Sequence, residues 1–512
     1  MPRALISVHD KAHLAEFASH LISFGYDLVA SGGTERELRA AGLPVTPVEQ
    51  LTGIADMLGG RVKTLHPAIH AGILARNTPE DLDELENAGF APINLVVCNL
   101  YPFQETVSRQ GVALQDAIEQ IDVGGVTLLR AAAKNFFQVT VVCDPTDYPR
   151  VIQALDNVGE IDLALRRELA VKAFAHTRDY DTAIHAYLSR DIAPKFATDE
   201  LPAQLSTGGQ QVEALRYGEN PHQSAAYYSR GRVSGPLGGT LRAGKQLSYN
   251  NILDLDAAWR VISSFDAPTV VIVKHLTPTG IATHDTLAAA YPHALASDPV
   301  SAFGGVVAVN RTVDVSFVTA LGSLFLEAIA APMFDDDAVD LLSAGRKNCR
   351  LLQIPQFFDG AEIELRTVHR GFLAQRADMG DPEHTTFKTV TQRAPTANEM
   401  AALRFAWKAV QHVKSNAIVI ANNGATVGIG GGLPSRVDAV RLAVEKAAAN
   451  AAGAVLASDA FFPFADGLQT AAEAGVTAVI QPGGSIRDNE VIEAANAVNM
   501  AMVFTGVRHF RH

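Results

Sequence analysis

Two glycines and two hydroxyl residues stand between a short apolar run and a helical pattern near the start of the chain. Ser31, Gly32, Gly33 and Thr34 directly follow the apolar run Leu28 to Ala30. Amide N–H groups and hydroxyls at the first turn of a helix, where the helix dipole is positive, bind anions. The alternative interpretation is an ordinary strand-to-helix turn that the threonine caps.

A second glycine-hinged segment, residues 59 to 64, carries two cations, Arg61 and Lys63. An Arg and a Lys on such a loop clamp a phosphate, and solvated surface charge is the alternative. His66 and His70 follow with the four-residue spacing of a helical metal pair. A proline between them disfavours a continuous helix, so we expect no metal site.

Polar residues at the ends of elements suggest acid–base chemistry in the first part of the chain. Cys98 and Asn99 end an apolar strand and Tyr101 follows them, whereas Asp122 opens and Lys134 ends a helical stretch. A Tyr, an Asp and a Lys at such positions form an acid–base set when they converge. Each of them alone is more often structural.

The second part of the chain contains a densely polar loop and a basic dipeptide. The loop runs from Leu215 to Gln223, and loops of this composition bind ligands, although a capped surface turn is the alternative. Lys274 and His275 end the apolar strand TVVIVK. A lysine beside a histidine favours a neutral imidazole that acts as a base, whereas a structural histidine is the alternative.

Three phenylalanines and two aspartates occur together in residues 458 to 466. Flat aromatic walls beside a carboxylate suit a heteroaromatic ligand, and a core aromatic cluster is the alternative. The segment Gly428 to Leu433 resembles a dinucleotide fingerprint, but Leu433 replaces the third glycine and the segment follows a hairpin strand. A nicotinamide cofactor is therefore disfavoured.

The elements that must position these residues alternate between short strands and helices. Strands are predicted in the first part at Ala4 to Val8, Leu28 to Ala30, Leu95 to Asn99 and Val139 to Val142. Such alternation is typical of βαβ units and a parallel sheet. A long helix is predicted from Leu163 to Arg190, before the helix-breaking Pro194.

A polar segment from about residue 197 to 212 separates this part from a second α/β part. Strands are predicted there at Thr269 to Lys274, Gly305 to Val309, Asn416 to Ala421, Ala454 to Ala457, Thr477 to Ile480 and Ala501 to Phe504. Asn423-Gly424 predicts a tight hairpin, so this sheet is expected to be mixed. Paired apolar runs around Val271 and Ile418 are a weak indication of a duplicated subdomain.

Composition limits the possible functions. The 512 residues suggest two or three domains. The formal charge of −13, without a long basic run, disfavours a nucleic-acid partner. No window holds eighteen apolar residues free of charge, so no membrane partner is expected and a cytoplasmic location is the default. Three scattered cysteines argue against a disulfide framework.

The motifs occur in one order along the whole chain, and together they resemble a known family. They are SGGT, GGRVKTLHP, CNLYPF, IDVGG with RAAAKN, LRYGENPHQ, VKH, SNAI, SDAFFPF and a basic-aromatic C-terminus. This ordered set closely resembles the bifunctional purine biosynthesis family that joins phosphoribosylaminoimidazolecarboxamide formyltransferase to IMP cyclohydrolase.

The resemblance implies an α/β fold in two parts. Residues 1–195 are expected to form an IMP cyclohydrolase domain with a methylglyoxal-synthase-like parallel sheet. Residues 196–512 are expected to form a formyltransferase region of two cytidine-deaminase-like α/β subdomains. The weak internal duplication agrees with that arrangement.

The resemblance also implies the chemistry. The formyltransferase moves a formyl group from the co-substrate 10-formyltetrahydrofolate to the amine of the ribonucleotide AICAR, and the cyclohydrolase closes the product FAICAR to IMP with loss of water. No metal or nicotinamide takes part. Members of the family are homodimers in which both protomers contribute to each formyltransferase site. A homodimer is therefore implied here too.

Matching motifs carry the family's cyclohydrolase residues onto this chain. Lys134 is implied as the proton donor or acceptor, with Lys63, Tyr101 and Asp122 beside it. The implied nucleotide contacts are Asp10, Lys11, Ser31, Gly32, Gly33, Thr34, Arg61, Thr64, Cys98, Asn99 and Val123.

The same matching gives the formyltransferase residues. His275 is implied as the base that takes a proton from the aromatic amine, and Lys274 as the group that stabilises developing charge. The implied nucleotide and folate contacts are Arg216, Tyr217, Gly304, Glu327, Asn416, Arg436, Phe461, Asp466, Ser485, Ile486 and Arg508.

Some positions depart from the usual pattern of the family: His9, Phe136-Phe137 and Thr279. None of them removes an implied catalytic group, but loop geometry beside Lys134 and His275 is put in question. Two other hypotheses stay open. The first domain could be a non-catalytic nucleotide sensor, or the anion loops could be plain turns of a scaffold protein.

Overall fold

The computed structural model describes residues 1–55, 57–107, 109, 111–192, 201–229, 235–360 and 363–512. The chain divides into two compact units, Met1–Gly208 and Gly209–His512, which are described separately. The domain boundary predicted between residues 195 and 196 lies outside the described residues.

The first unit alternates strands and helices. Its strands are β1 (Arg3–Ser7), β2 (Asp27–Ala30), β3 (Thr46–Pro47), β4 (Leu95–Cys98) and β5 (Thr140–Val142). Its helices are α1 (Leu14–Ser23), α2 (Gly32–Ala40), α3 (Val48–Thr52), α4 (Pro67–Leu74), α5 (Pro79–Asn87), α6 (Phe103–Val107), α7 (Leu114–Glu119), α8 (Gly124–Lys134), α9 (Tyr148–Val158) and α10 (Leu163–Ile192).

The five strands form one sheet in the order β3-β2-β1-β4-β5, and all pairs are parallel. The parallel sheet predicted from the sequence is confirmed. Its central strands are apolar on both faces because helices cover both sides, as the fully buried run LVVC of β4 illustrates. All carboxyl ends therefore meet at one edge, where parallel sheets bind ligands.

The second unit is larger. Its strands are β6 (Gln210–Leu215), β7 (Ala225–Ser229), β8 (Thr240–Ala243), β9 (Thr269–Lys274), β10 (Thr277–Thr283), β11 (Gly305–Val309), β12 (Leu326–Ala331), β13 (Arg350–Gln353), β14 (Ile363–Val368), β15 (Gly371–Arg376), β16 (Lys388–Thr389), β17 (Ile418–Asn422), β18 (Ala425–Gly430), β19 (Val455–Ser458), β20 (Ala478–Gln481) and β21 (Ala501–Phe504).

The helices of the second unit pack on both faces of its main sheet. They are α11 (Tyr249–Ser263), α12 (Leu287–Ser297), α13 (Pro299–Ala302), α14 (Val315–Ala320), α15 (Asp336–Gly345), α16 (Ala397–Val410), α17 (Arg436–Ala447), α18 (Asp466–Glu473) and α19 (Asp488–Ala497).

Twelve strands of this unit form a single sheet that is built from two similar halves. The strand order is β16-β21-β20-β19-β17-β18-β10-β9-β11-β12-β13-β8. Each half contains an antiparallel hairpin, three parallel strands and an antiparallel outer strand. The halves join where β10 pairs antiparallel with β18. This symmetry is the duplication that the paired apolar runs around Val271 and Ile418 weakly indicated.

The predicted Asn423-Gly424 hairpin and the mixed sheet are confirmed. β17 pairs antiparallel with β18, and both turn residues have positive φ, 49° for Asn423 and 75° for Gly424. The corresponding turn of the other half, between β9 and β10, contains His275 and Leu276. The strand predicted from Asn416 begins two residues later, at Ile418.

The strand directions place many chain ends at the same edge of the sheet. The carboxyl ends of β9, β19, β20 and β21 lie at this edge together with the amino ends of β11, β12, β13 and β17. We call it the active edge, because most of the formyltransferase residues that the resemblance implies lie on it.

A buried histidine fastens the C-terminal segment to the second unit. His509 lies with Nδ1 2.7 Å from Asp378 and Nε2 3.0 Å from Asp381. Trp407 also donates its indole N–H to Asp381. The two carboxylates outweigh desolvation and raise the pKa of His509 to about 9, so both ring nitrogens donate. The clamp holds the neighbouring Arg508 at the active edge.

Two strand glycines are required by the close approach of a helix. A Cβ on Gly280 in β10 would lie 1.9 Å from the carbonyl oxygen of Ala294, and a Cβ on Gly428 in β18 would lie 2.1 Å from that of Ala443.

We predict that Gly280→Ala lowers the free energy of unfolding by about 3 kcal/mol, as overpacking does. Urea unfolding measures it, with Gly345→Ala, where a Cβ meets nothing within 4 Å, as the control. Equal stability of the two variants would contradict this packing.

The His509 clamp predicts a pH-dependent stability. The pKa of His509 is raised in the folded state, so its contribution is complete below its ordinary pKa of 6.5 and is lost as pH rises through about 9. The difference in unfolding free energy between the wild type and His509→Ala should shrink by about 3 kcal/mol over that range. The exposed His293→Ala is the control. A difference that does not change with pH would exclude the charged clamp.

Candidate active sites

The first candidate site lies at the carboxyl edge of the parallel sheet in the first unit. The side chain of Asn99, after β4, accepts the amide protons of His9 and Asp10 at 2.7 and 2.9 Å and donates to the Asp10 carbonyl. Thr34 Oγ1 accepts from the amide of Val8 at 3.1 Å. Asn99 and Thr34 therefore hold the loop after β1 in place.

Two lysines converge on the first turn of α2. A Cβ built on Gly32 would lie 2.9 Å from Lys63 Nζ, and one built on Gly33 would lie 3.6 Å from Lys11 Nζ. Only glycine leaves that space open, and Gly32 also has a positive φ of 50°. The sequence prediction missed Arg36, whose Nη2 lies 3.9 Å from the same Gly33 position. This cluster, the phosphate cradle, has the charge and the amide donors for a phosphate group.

An acidic residue with a perturbed pKa lies immediately before the first turn of α8. Asp122 Oδ1 accepts the amide proton of Gly125 at 2.7 Å. Burial raises the pKa of Asp122, and hydrogen bonds from the Gly125 and Tyr101 amides oppose that shift. The amide of Asp122 itself donates to the Tyr180 hydroxyl at 2.8 Å, so α10 anchors this loop. Tyr180 was not predicted, because it is 58 residues away in the chain.

Other implied residues surround these two features. Thr64 is buried, with Oγ1 3.1 Å from a Cβ built on Gly124. Arg61 is exposed and pairs with Glu119. Tyr101 is half exposed, and the ring of His9 meets its edge at a centroid distance of 5.5 Å.

Of the remaining implied nucleotide contacts, some side chains are buried and others are exposed. The side chain of Cys98 is buried beneath the site, where its thiol donates to the Gly125 carbonyl at 3.7 Å and burial raises its pKa. The buried Cys98 side chain therefore contributes packing, not an open contact. Val123 is exposed, and Ser31 is buried at the start of α2. Asp10 accepts the amide proton of Ala12 at 2.9 Å.

Lys134 does not join this cluster within its own chain. It is the last residue of α8, whereas Asp122 precedes the first turn of that helix. Ten helical steps of 1.5 Å separate Gly124 from Lys134 by about 15 Å. The next residue, Asn135, donates to the carbonyls of Ile73 and Ala75 at the amino edge of the sheet. The exposed Lys134 therefore lies at the opposite edge from the phosphate cradle.

The second candidate site lies at the active edge of the twelve-stranded sheet. Lys274 ends β9, and its Nζ donates to the Phe303 carbonyl at 2.6 Å, next to Gly304. The exposed His275 follows in the turn. In Gly304 φ is 71°, and its amide donates to the Phe325 carbonyl at 2.8 Å. Lys274, His275 and Gly304 are thus brought together.

Glu327 near the start of β12 pairs with Arg350, a residue that the sequence prediction missed. Arg350 also donates to the Gln246 carbonyl at 3.2 Å. The β6–β7 ribbon reaches the same region, because Gln246 donates to the Ala214 carbonyl at 3.2 Å. Arg216 directly follows β6, in the loop that joins it to β7, with its guanidinium 5.5 Å from the ring centroid of Tyr217.

The second half contributes a buried polar network. Arg436 Nη2 donates to Asn416 Oδ1 at 2.9 Å. The Nη1 group donates to Ser458 at 2.8 Å and to the fully buried Asp459 at 2.5 Å. A buried guanidinium that is neutralised by a carboxylate orients its neighbours more than it attracts an anion. Arg436 therefore positions Asn416, whose amide also donates to the Leu433 carbonyl at 2.9 Å.

An exposed aromatic and apolar surface lies beside this network. Phe461 and Phe464 follow β19, and both are exposed. Arg487 lies over the ring of Phe464 at 4.7 Å from its centroid. Exposed apolar side chains that cluster in this way are typical of ligand or partner sites. The implied contacts on this surface are Phe461, Asp466, Ser485, Ile486 and Arg508.

The two groups of residues at the active edge do not meet within one chain. Four strand spacings of about 4.8 Å separate the end of β9 from the end of β19, or roughly 19 Å. Six spacings, roughly 29 Å, separate β9 from β21 and the adjoining Arg508. Asn416, before β17, is three spacings or roughly 14 Å from the end of β9, so the group around His275 and the residues that follow β19, β20 and β21 form separate clusters in one chain.

Thr279 and Phe136-Phe137, three of the unusual positions, are accommodated in the fold. Thr279 Oγ1 donates to the Ile272 carbonyl at 3.2 Å. Phe136 and Phe137 stack on each other with centroids 4.5 Å apart. In the described part of the chain, no group of three or more His, Cys, Asp and Glu side chains could hold a metal ion. No described helix is long and apolar enough to cross a membrane.

Comparison with known proteins covers the whole chain. The family described as "AICARFT/IMPCHase bienzyme" matches residues 132–446, and the family described as "MGS-like domain" matches residues 13–127. A "Bifunctional purine biosynthesis protein PurH" of Desulfitobacterium hafniense is 49% identical over 100% of this chain and 99% of its own. The protein of that name from Trichormus variabilis is 47% identical over 99% of both chains, and the one from Persephonella marina is 49% identical over 100% and 99%.

A solved structure titled "Crystal structure of ForH" is 37% identical over 37% of this chain and 97% of its own, with a TM-score of 0.35. The full-length identity and the family matches agree with the order of motifs and with the parallel sheet of the first unit. The chain belongs to the AICARFT/IMPCHase bienzyme family of bifunctional purine biosynthesis enzymes, which carry out formyl transfer to AICAR and cyclisation to IMP.

Proposed function

We propose that the first unit closes FAICAR to IMP and that the second unit first makes FAICAR by formyl transfer to AICAR. The observation that carries the proposal is the phosphate cradle, where Lys11 and Lys63 flank the glycines that begin α2. FAICAR and IMP both carry a ribose 5′-phosphate, which this cradle suits in charge and in donor geometry. The chemistry then falls near Asp122, at the start of α8.

Ring closure needs a proton acceptor, a proton donor and a polarised formyl oxygen. The carboxamide nitrogen attacks the formyl carbon, and one nitrogen proton must leave. The formamide nitrogen gives up a second proton as its own bond to this carbon becomes double, and the formyl oxygen takes up both protons and departs as water. Asp122, whose pKa burial raises, is suited to proton transfer. The Tyr101 hydroxyl is suited to polarise the oxygen, whereas Lys63 in this proposal serves the phosphate.

Formyl transfer takes place at the active edge in this proposal. The exocyclic amine of AICAR attacks the formyl carbon of the donor, and His275 accepts a proton from that amine. The folate nitrogen leaves as the C–N bond to the formyl group breaks, and it is protonated. The Lys274 ammonium has three donors and gives one to the Phe303 carbonyl, so the other two remain to stabilise the developing oxyanion.

The exposed aromatic surface is proposed to receive the folate. Phe461 would stack on the flat pterin or benzoyl ring, and Asp466 would accept hydrogen bonds from the N–H groups of the pterin. Ser485 and the exposed Ile486 follow β20, and Arg508 follows β21, at the same edge of the sheet. The donor is proposed to be 10-formyltetrahydrofolate, with no metal or nicotinamide required, and the enzyme is proposed to work in the cytoplasm.

The separation of the two clusters favours an enzyme of two copies. The roughly 19 Å between the β9 and β19 ends is too long for one transferred formyl group to contact both in one chain. A homodimer that sets the first-half cluster of one protomer against the second-half cluster of its partner would remove this gap. The same reasoning applies to Lys134, which would reach a cyclohydrolase site only from a second copy.

The division of labour is tested by paired variants. We predict that His275→Ala lowers formyl transfer to AICAR, measured as consumption of 10-formyltetrahydrofolate, at least about 100-fold, as loss of a general base does. Cyclisation of supplied FAICAR should stay unchanged. Asp122→Asn should lose cyclisation of FAICAR and keep formyl transfer to AICAR. His293→Ala, an exposed histidine of the same unit, is the control.

Two results of these assays would contradict the proposal. Equal loss of both activities in folded His275→Ala would show that the sites are not divided in this way. Wild-type cyclisation by Asp122→Asn would favour the alternative of a nucleotide sensor in the first unit.

The position of Lys134 is tested by mixing variants. We predict that Lys134→Ala and Asp122→Asn are each inactive in cyclisation, and that mixed dimers regain up to about a quarter of wild-type activity, since half the dimers carry one intact site. FAICAR turnover after joint refolding measures this. Full activity of Lys134→Ala alone would show that the lysine has no catalytic role, and inactivity of every mixture would exclude action across protomers.

A further inference from the structure

The two hairpins at the centre of the large sheet have the same turn but different residues. Between β17 and β18, Asn423 and Gly424 have φ values of 49° and 75°. Between β9 and β10, His275 and Leu276 have φ values of 52° and 66°. Asparagine and glycine tolerate this left-handed region, whereas histidine does so less readily and leucine adopts it rarely. The turn that carries the proposed base is therefore not favoured by its own residues.

A carboxylate from a neighbouring helix holds this turn. Asp254 Oδ1 accepts the amide proton of Leu276 at 2.7 Å, and Oδ2 lies 3.3 Å from the amide nitrogen of His275. The two oxygens of one side chain thus bind the amides of both turn residues. Hydrogen bonds to an ionised carboxylate are among the stronger ones in proteins, so this contact opposes the cost of the two positive φ angles.

The other half of the sheet acts as an internal comparison. α11 and α16 are equivalent helices, in which Leu255 and Trp259 match Leu403 and Trp407. This alignment places Ala402 at the position of Asp254. The half whose turn is Asn-Gly has an alanine there, and the half whose turn is His-Leu has the carboxylate. The aspartate therefore occurs with the turn that requires it.

We propose that Asp254 is a positioning residue for formyl transfer. Its carboxylate fixes the turn so that the His275 imidazole stands at the active edge beside Lys274. The inference rests on the proposed role of His275 as the base. Asp254 does not contact the reacting atoms in this account, and it acts only through the backbone of the turn.

The central experiment measures formyl transfer by Asp254→Ala. Misplacement of a base by about 1 Å costs up to about 100-fold, so kcat should fall by 10-fold to 100-fold. The KM for AICAR should change by less than about 2-fold, because ground-state binding does not depend on the turn. Asp254→Asn retains one acceptor oxygen and should lose less. Asp256→Ala, on the same helix and paired with Arg260, is the matched control.

A second variant distinguishes positioning from general destabilisation. Leu276→Gly makes the turn resemble Asn423-Gly424, so the turn needs the carboxylate less. We expect Asp254→Ala to cost at most about 3-fold in kcat in the Leu276→Gly background. Amide hydrogen exchange at His275 and Leu276 should accelerate in Asp254→Ala and not in Asp256→Ala. Circular dichroism and urea unfolding of each variant check that the second unit is folded.

The outcomes separate this inference from the proposed function. If His275→Ala abolishes formyl transfer but Asp254→Ala keeps wild-type kcat, the positioning role is wrong and the base assignment stands. If Asp254→Ala lowers kcat by the same factor in the Leu276→Gly background, Asp254 does not act through the turn. If His275→Ala retains formyl transfer, the base assignment fails, whatever the Asp254 variants do. A rise in the KM for AICAR with unchanged kcat would assign Asp254 to substrate binding and would also overturn the inference.

Discussion

The antiparallel pairing of β10 with β18 is the constraint on which the second unit depends. It joins two similar half-sheets so that the carboxyl end of β9 and the carboxyl ends of β19, β20 and β21 lie at one edge. If the halves were joined by a parallel pair, the two clusters would lie at opposite edges. The glycines at positions 280 and 428 allow a helix to lie close to each of these central strands, so the packing that builds the sheet also builds the active edge.

The first unit also gathers its candidate site residues at one edge of a sheet, but it does so with a single parallel sheet. All five of its strands are parallel, so every carboxyl end lies at one edge, and the loops there are fastened by Asn99 and Thr34. The chain carries a formal charge of −13, yet the proposed substrates are anions. Anion binding therefore depends on a local field, which the first turn of α2 and the nearby lysine side chains supply.

Much of this architecture could be predicted from the sequence, because it follows from local patterns. The parallel sheet follows from alternating apolar runs and helices, and the Asn423-Gly424 turn follows from residues that tolerate positive φ. Residues that act through space could not be predicted. Tyr180, Arg350 and Asp254 touch partners more than 20 residues away in the chain.

The surroundings of two implied site residues could not be predicted from the sequence, for physical reasons. Lys134 and Asp122 are twelve residues apart in the chain, and the helix between them carries the lysine to the other edge of the sheet. The resemblance implies Arg436 as a nucleotide or folate contact, and the structure shows its guanidinium buried against Asp459. Chain proximity and residue type do not show which way a rigid helix runs or which charge is already paired.

The central claim is that formyl transfer requires the active edges of two copies of the chain. The most direct test is the specific activity of formyl transfer at falling enzyme concentration, measured beside the fraction of dimer from sedimentation. The account predicts that specific activity falls in step with the dimer fraction and is regained on reconcentration. Unchanged specific activity in a sample that sediments as a monomer would contradict it.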